Sequence, residues 1–299
     1  MLKRVKIGDA DIGQSLLNAL AADGFVVLGD VDKFLPELIS QVELLQKLAA
    51  ENLFKSEEKG LLAFLAPGSF QNPQEGLFQV GAENAKDSAL KDEKGFYHYY
   101  GSQAHTPAQL LMGFNYKQMF STMASVRSGL SDLALLIAVE LDGALSEYMA
   151  IDLASPLVGS QQSLLRTLYY PKTELGKVTA AAHEDINWLT LLPCAGVTSG
   201  LEINVDSIGS RWVDVSGKKG DVVINVGDML QEYTQGTLKS TTHRVVSRGE
   251  ERTSVALFSH PRPEVVLSER YTAGSYLKER LEQIGIYSNK QEEKYENQG

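Results

Sequence analysis

The chain carries only five histidines, His98, His105, His183, His243 and His260, and two of them stand where a metal could be held. His183 and Asp185 flank Glu184 in Ala182-His183-Glu184-Asp185-Ile186-Asn187. In an extended segment residues i and i+2 face the same way, so an imidazole and a carboxylate converge while Glu184 points elsewhere. His243 comes later, in Thr241-Thr242-His243-Arg244-Val245, within a β-prone part of the chain. Two imidazoles and one carboxylate on one face of a metal leave the opposite positions open. That arrangement lets iron(II) admit O2 and a second ligand. A His-x-Asp triplet alone arises often by chance, and either residue could serve as hydrogen-bonded structure. The surroundings decide.

Beyond His243 comes Arg252-Thr253-Ser254, opening the run Val255-Ala256-Leu257-Phe258. The two-residue period puts Arg252 and Ser254 on one strand face. A guanidinium is a planar two-pronged donor for a carboxylate, and the nearby hydroxyl adds a third bond. Tyr170, in Leu168-Tyr169-Tyr170-Pro171, offers a phenol. Together these residues suit a dicarboxylate lying beside the metal. His105 and His260 read as ordinary surface or loop residues.

The elements that must position these groups fall into two kinds. In the first half, apolar residues at helical spacing predict helices over Ile12–Ala22, Leu35–Phe54 and Lys117–Leu145, with a short buried strand at Phe25–Leu28. Pro67 to Asp92 is rich in Gly, Pro, Asn and Gln and reads as irregular structure or a lid. From Leu164 short β-prone runs appear: Leu164–Tyr170, Leu189–Leu192, Leu201–Val205, Trp212–Val215, Asp221–Asn225, Thr242–Val246 and Thr253–Phe258. Such spacing predicts a sandwich or barrel and argues against a parallel α/β sheet. A last helix is expected over Ser275–Ile284, then a polar, disordered tail. The division expected is a helix-rich region, 1–150, packing on a β core, 151–299.

Composition narrows the partners. The 299 residues include 38 acidic and 28 basic ones, for a formal charge of -10, and no basic run that would track a duplex. Nucleic acid is therefore not an expected partner. Cys194 is the single cysteine, so no internal disulfide can form, which suits a reducing compartment. The N-terminus lacks an apolar signal region, and the longest strongly apolar stretch, Leu133 to Val139, is too short to cross a bilayer. The expectation is a cytoplasmic protein, monomeric by default, acting on a small molecule away from membranes.

With those residues in place, Arg166 to Pro261 resembles the isopenicillin N synthase-like branch of the iron(II)/2-oxoglutarate oxygenases. Tyr170-Pro171, His183-Glu184-Asp185, His243-Arg244-Val245 and Arg252-Thr253-Ser254 follow the family's order, and Gly227-Asp228 matches its strand before the distal His. More loosely, Gly24-Phe25-Val26 and Phe54 with Glu57, Glu58 and Lys59 are similar to its N-terminal segments. The resemblance implies a mainly β fold with flanking helices: a double-stranded β-helix, or jelly roll, with a helical N-terminal region. It implies iron(II) on His183, Asp185 and His243, and 2-oxoglutarate held by Arg252 and Ser254 near Tyr170, with O2 consumed. Leu168 departs from the Asn that many plant members carry there. Isopenicillin N synthase keeps Arg-x-Ser yet uses no 2-oxoglutarate, so an oxidase using O2 alone stays open. A non-catalytic metal-binding jelly roll stays open too. A zinc hydrolase would leave Arg252-x-Ser254 unexplained.

Hydroxylation, desaturation and cyclisation fit equally well. Candidate substrate walls are Tyr97 and Tyr99 within Phe96-Tyr97-His98-Tyr99-Tyr100, together with Asn187, Trp188 and Tyr233. Alternation puts Arg166 on the face of Leu168 and Tyr170, aimed inward. A buried Arg needs an anion. Either a substrate carboxylate or a structural Asp or Glu would supply it. The substrate expected is a small carboxylate-bearing molecule.

Overall fold

The computed structural model describes residues 2–55, 65–67, 70, 72, 74–83, 91–102, 114–196, 200–206 and 211–283. His105, Glu57 to Lys59 and the polar tail lie outside these residues.

Among the described residues twelve strands form two sheets. They are β1 (Arg4–Lys6), β2 (Phe25–Gly29), β3 (Gly76–Phe78), β4 (Gly95–Tyr99), β5 (Leu164–Tyr170), β6 (Val178–His183), β7 (Leu189–Pro193), β8 (Leu201–Asn204), β9 (Trp212–Val215), β10 (Val222–Val226), β11 (His243–Val246) and β12 (Arg252–Ser259). The large sheet runs β1-β2-β10-β7-β12-β5-β4-β3, and the small one runs β6-β11-β8-β9. The chain crosses between the sheets repeatedly, as a jelly roll requires. A core of Phe25, Phe96, Leu168, Tyr170, Ile203, Val223, Val245 and their neighbours fills the space between the two sheets.

Helices cover the outer face of the large sheet: α1 (Ile12–Asp23), α2 (Val31–Phe34), α3 (Pro36–Ala49) and α4 (Phe114–Leu145). Two more follow later, α5 (Asp228–Tyr233) and α6 (Ala273–Gln283). The α4 residues Met119, Met123, Val126, Leu130, Leu133 and Ile137 are all buried in that outer core, as their spacing predicts. Gly24 ends α1 with φ of 67°, a left-handed conformation that glycine adopts without Cβ strain, and its N–H donates to Leu20. Because both faces of the large sheet are covered, its strands read as nearly unbroken apolar runs; Val222–Val226 is buried throughout.

The helical N-terminal region also supplies strands, since β1 to β4 lie in the same sheet as β5, β7, β10 and β12. The second helical run reaches Phe54 as expected but changes pitch: α3 ends at Ala49, and Ala50–Phe54 forms one wide π-helical turn.

Candidate metal centre and co-substrate pocket

The two histidines meet because β6 and β11 are antiparallel neighbours in which His243 sits directly opposite His183. Their ring centroids are 4.4 Å apart. Asp185 reaches them from outside any strand, in the turn that carries the chain from β6 in the small sheet to β7 in the large one. The convergence expected from an extended i, i+2 pair is met, but across a sheet-to-sheet crossing. Asp185 Oδ1 lies 3.8 Å from His183 Nε2 and 3.7 Å from His243 Nε2. One ligand atom from each of the three residues falls within 4.8 Å of the others. Glu184 turns away and accepts a hydrogen bond from the Thr242 hydroxyl.

Each donor atom is held in ligating form. His183 Nδ1–H donates to the Ala181 carbonyl at 2.7 Å, and His243 Nδ1–H donates to the Thr241 carbonyl at 3.1 Å. Those bonds leave both Nε2 lone pairs facing Asp185, the outer-sphere arrangement typical of metal-binding histidines. Asp185 Oδ2 accepts from the Thr190 hydroxyl at 2.6 Å and from Asn225 Nδ2 at 2.9 Å. Oδ1 is thereby turned to the imidazoles. Burial pushes the Asp185 carboxyl up, but the imidazoles and these two hydrogen bonds outweigh it and hold it below its ordinary value. His183 is only half-buried by surface area. The mass of protein around it nevertheless desolvates the ring and, with His243, pushes it down to about 4, so the imidazole stays neutral. The donor set fits a divalent metal with an open face.

The turn holding Asp185 is fixed by α5. Asp228 N–H donates to the Asp185 carbonyl at 2.7 Å, and Met229 N–H to the Asn187 carbonyl at 3.2 Å. A Cβ on Gly227 would collide with the Asn187 carbonyl oxygen, so only glycine permits this approach. That is the physical content of the Gly227-Asp228 pair.

Across β5 and β12, Arg252 stands opposite Tyr170, and Ser254 opposite Leu168. The Arg252 guanidinium lies 4.2 Å over the Tyr170 ring. Among the described residues no carboxylate pairs with Arg252. Tyr170 and Ser254 are buried. The geometry offers an anion a planar cation and a hydroxyl on one wall.

Substrate expectations fare differently. Arg166 does face inward, opposite His98 on β4, with its guanidinium 4.4 Å over Phe96. Its anion is structural: Glu83 Oε1 lies 3.1 Å from Nη2. Glu83 also pairs with Lys94, which in turn pairs with Asp92 at 2.8 Å. Burial raises the Glu83 carboxyl, but Arg166 and Lys94 more than compensate and hold it down to about 2. With Glu83 in place, Arg166 carries no spare charge, and the argument for a carboxylate-bearing substrate loses its footing.

Tyr97 and Tyr99 point to the opposite face of β4, into the helix-side core beside Phe120. Trp188 is fully buried there against Tyr233, whose hydroxyl donates to the Asp152 carbonyl at 3.1 Å. Asn187 donates to Thr190 Oγ1 at 3.0 Å and so supports the residue that holds Asp185. The four aromatic residues belong to the core on the helix side of the large sheet. His260, expected at the surface, is buried, and burial pushes it down to about 4. It borders a cavity of about 290 Å³ beside α6. Thr190, Asn225 and Asp92 were missed; a polar residue inside the otherwise apolar run Val222–Val226 was the one available sign.

The 2OG-Fe(II) oxygenase superfamily profile matches residues 161–261, which include every residue of the triad and of the Arg252 wall. A coumaroyl- and feruloyl-CoA ortho-hydroxylase of Ruta graveolens is 38% identical over 115 residues, covering 37% of this chain and 30% of that enzyme. The chain thus spans 30% of the length of the first curated plant relatives it matches. A full-length Neurospora crassa protein solved in complex with alpha-KG superposes with a TM-score of 0.71 at 22% identity, covering 93% of this chain and 95% of that one, a likeness of fold. A Shewanella oneidensis structure described as an oxygenase is 32% identical, with a TM-score of 0.70, covering 96% of this chain and 100% of that one. Over that full-length correspondence, and with the profile falling on the segment that carries the triad, the chain belongs to the 2OG-Fe(II) oxygenase superfamily.

Proposed function

We propose that the protein is a non-haem iron(II), 2-oxoglutarate-dependent oxygenase that oxidises a small molecule, and that it lies in the isopenicillin N synthase-like branch. One observation carries the activity: three ligand atoms converge with an open face, and both imidazoles are tied through Nδ1 to backbone carbonyls. The motif order from Tyr170 to Ser254 supports the branch.

Iron(II) and 2-oxoglutarate, when bound, supply O2 activation coupled to decarboxylation of the keto acid to succinate. The chain's own residues do the placing. His183, Asp185 and His243 would hold the metal from one side. Arg252 and Ser254 would take the far carboxylate of the keto acid, with the Tyr170 ring bearing the guanidinium. Phe96, Leu168 and Phe258 line the inner sheet face and exclude water. The Arg166–Glu83 pair orients whatever enters as a polar but charge-balanced wall. A buried lone cysteine, Cys194, suits the cytoplasm, and a monomer is the default state.

The test is anaerobic iron(II) addition with and without 2-oxoglutarate, followed by O2. A visible charge-transfer band that requires both, and succinate release after O2, are expected. Substrate oxidation without succinate would assign the synthase-type reaction instead. No band and no O2 uptake would leave a non-catalytic module.

A further inference from the structure

We infer that Asp92, oriented by the buried Lys94, is a positioning residue for His183, clamping the open edge of the strand that carries it. The inference rests on the metal-centre reading above only in taking His183 as a ligand.

β6 is an edge strand: β11 pairs one side, and no described strand pairs the other. An edge strand exposes N–H groups that need partners and lets the backbone shift. The Ala181 N–H finds one in Asp92 Oδ1 at 3.1 Å. The carbonyl of the same residue accepts the Nδ1–H of His183. One residue, Ala181, is therefore held at its N–H by Asp92, and its carbonyl aims the imidazole. The β6–β11 register shifts between His243 and Val245, so the ladder alone holds this stretch less firmly.

Asp92 is itself fixed. Its other oxygen takes Lys94 Nζ at 2.8 Å, and Lys94 has only 6% of its side chain accessible. Burial works against this ammonium, but Glu83 and Asp92 carry its pKa above the ordinary value. From Lys94 the network continues to Glu83 and Arg166. A line of charge-assisted bonds thus joins β5 of the large sheet, through the segment leading into β4, to the His183 strand of the small sheet. A residue serving only the fold would not need to end on the peptide that orients a ligand.

The experiment uses Co(II) as probe on the full chain, read by affinity and by its visible d–d spectrum. Asp92→Ala removes the acceptor. Asp92→Ser keeps a polar group for Lys94 but is too short to reach Ala181. Asp92→Asn keeps an oxygen for the Ala181 N–H. Expected are about tenfold weaker Co(II) binding and altered bands for Ala and Ser, and affinity within about threefold of wild type for Asn. If the Ala variant does not fold, the Ser variant carries the test. A folded Ala or Ser variant with wild-type affinity and spectrum overturns the inference, as does an Asn variant as weak as Ser. Failure of the wild type itself to bind Co(II) would sink the metal-centre reading instead, so the two failures are distinct.

Discussion

Replacing Thr190 by Val tests whether the carboxylate's orientation, and not merely its presence, makes the centre. The substitution keeps volume and β-branching and removes one hydroxyl, which lies 2.6 Å from Asp185 Oδ2. A hydrogen bond to a charged group is worth about 1.5–3 kcal/mol. It exists with or without metal, so its loss first appears in the metal-free protein, as a melting temperature lower by several degrees. The effect on the metal is indirect. Asn225 still holds Oδ2 at 2.9 Å, but one anchor lets the carboxylate rotate, and metal must then re-fix it. Outer-sphere losses cost about 10–100-fold in affinity, and the surviving anchor puts this variant near the tenfold end. Adding Asn225→Leu should move it toward about a hundredfold. The assay is anaerobic calorimetric titration with iron(II) beside thermal melts of the metal-free protein. A folded Thr190→Val protein that binds iron(II) within about twofold of wild type would refute the reasoning.

Three other outcomes are expected. Arg252→Lys keeps the charge but loses the two-pronged donor, so 2-oxoglutarate affinity should fall by roughly ten- to hundredfold while iron(II) affinity holds, measured by the charge-transfer titration. Gly227→Ala forces a Cβ onto the Asn187 carbonyl oxygen, and should cost at least about 1–3 kcal/mol in urea unfolding and displace Asp185. Glu83 has its carboxyl held at about 2 against an ordinary 4.5, so its ion pairs stabilise the fold fully above pH 4.5 and lose that effect as pH falls toward 2. Glu83→Gln should therefore be less stable by about 3 kcal/mol at neutral pH, with the gap closing toward pH 2; a gap independent of pH would contradict the assignment.

What the amino-acid sequence determines here is whatever local chemistry and short periods encode. The long β runs were legible because the large sheet is covered on both faces, so its strands are largely apolar; β5 matches its predicted limits, and β10 begins one residue later than expected. Arg166, Leu168 and Tyr170 share a face by parity alone, and the ligand residues announce themselves by type and spacing. β6 was not legible. Its three successive alanines, Ala180, Ala181 and Ala182, have little β propensity, and only pairing with β11 makes it a strand.

Tertiary structure decided the rest. Alternation along β4 separates Phe96 and His98 from Tyr97 and Tyr99, but which set faces the barrel depends on where α4 packs, and that is not a local property. Asp185 lies in a turn with no period, so its partners Thr190 and Asn225 could be found only once β7 and β10 were side by side. The anion for Arg166 comes from Glu83, far away in the chain, and its arrival turned a substrate anchor into part of a charge-balanced wall. A buried charge demands a partner, and residue type alone makes that demand clear. Which partner answers is settled by the packing of distant segments, because the energy of an ion pair depends on a distance that the order of residues does not contain.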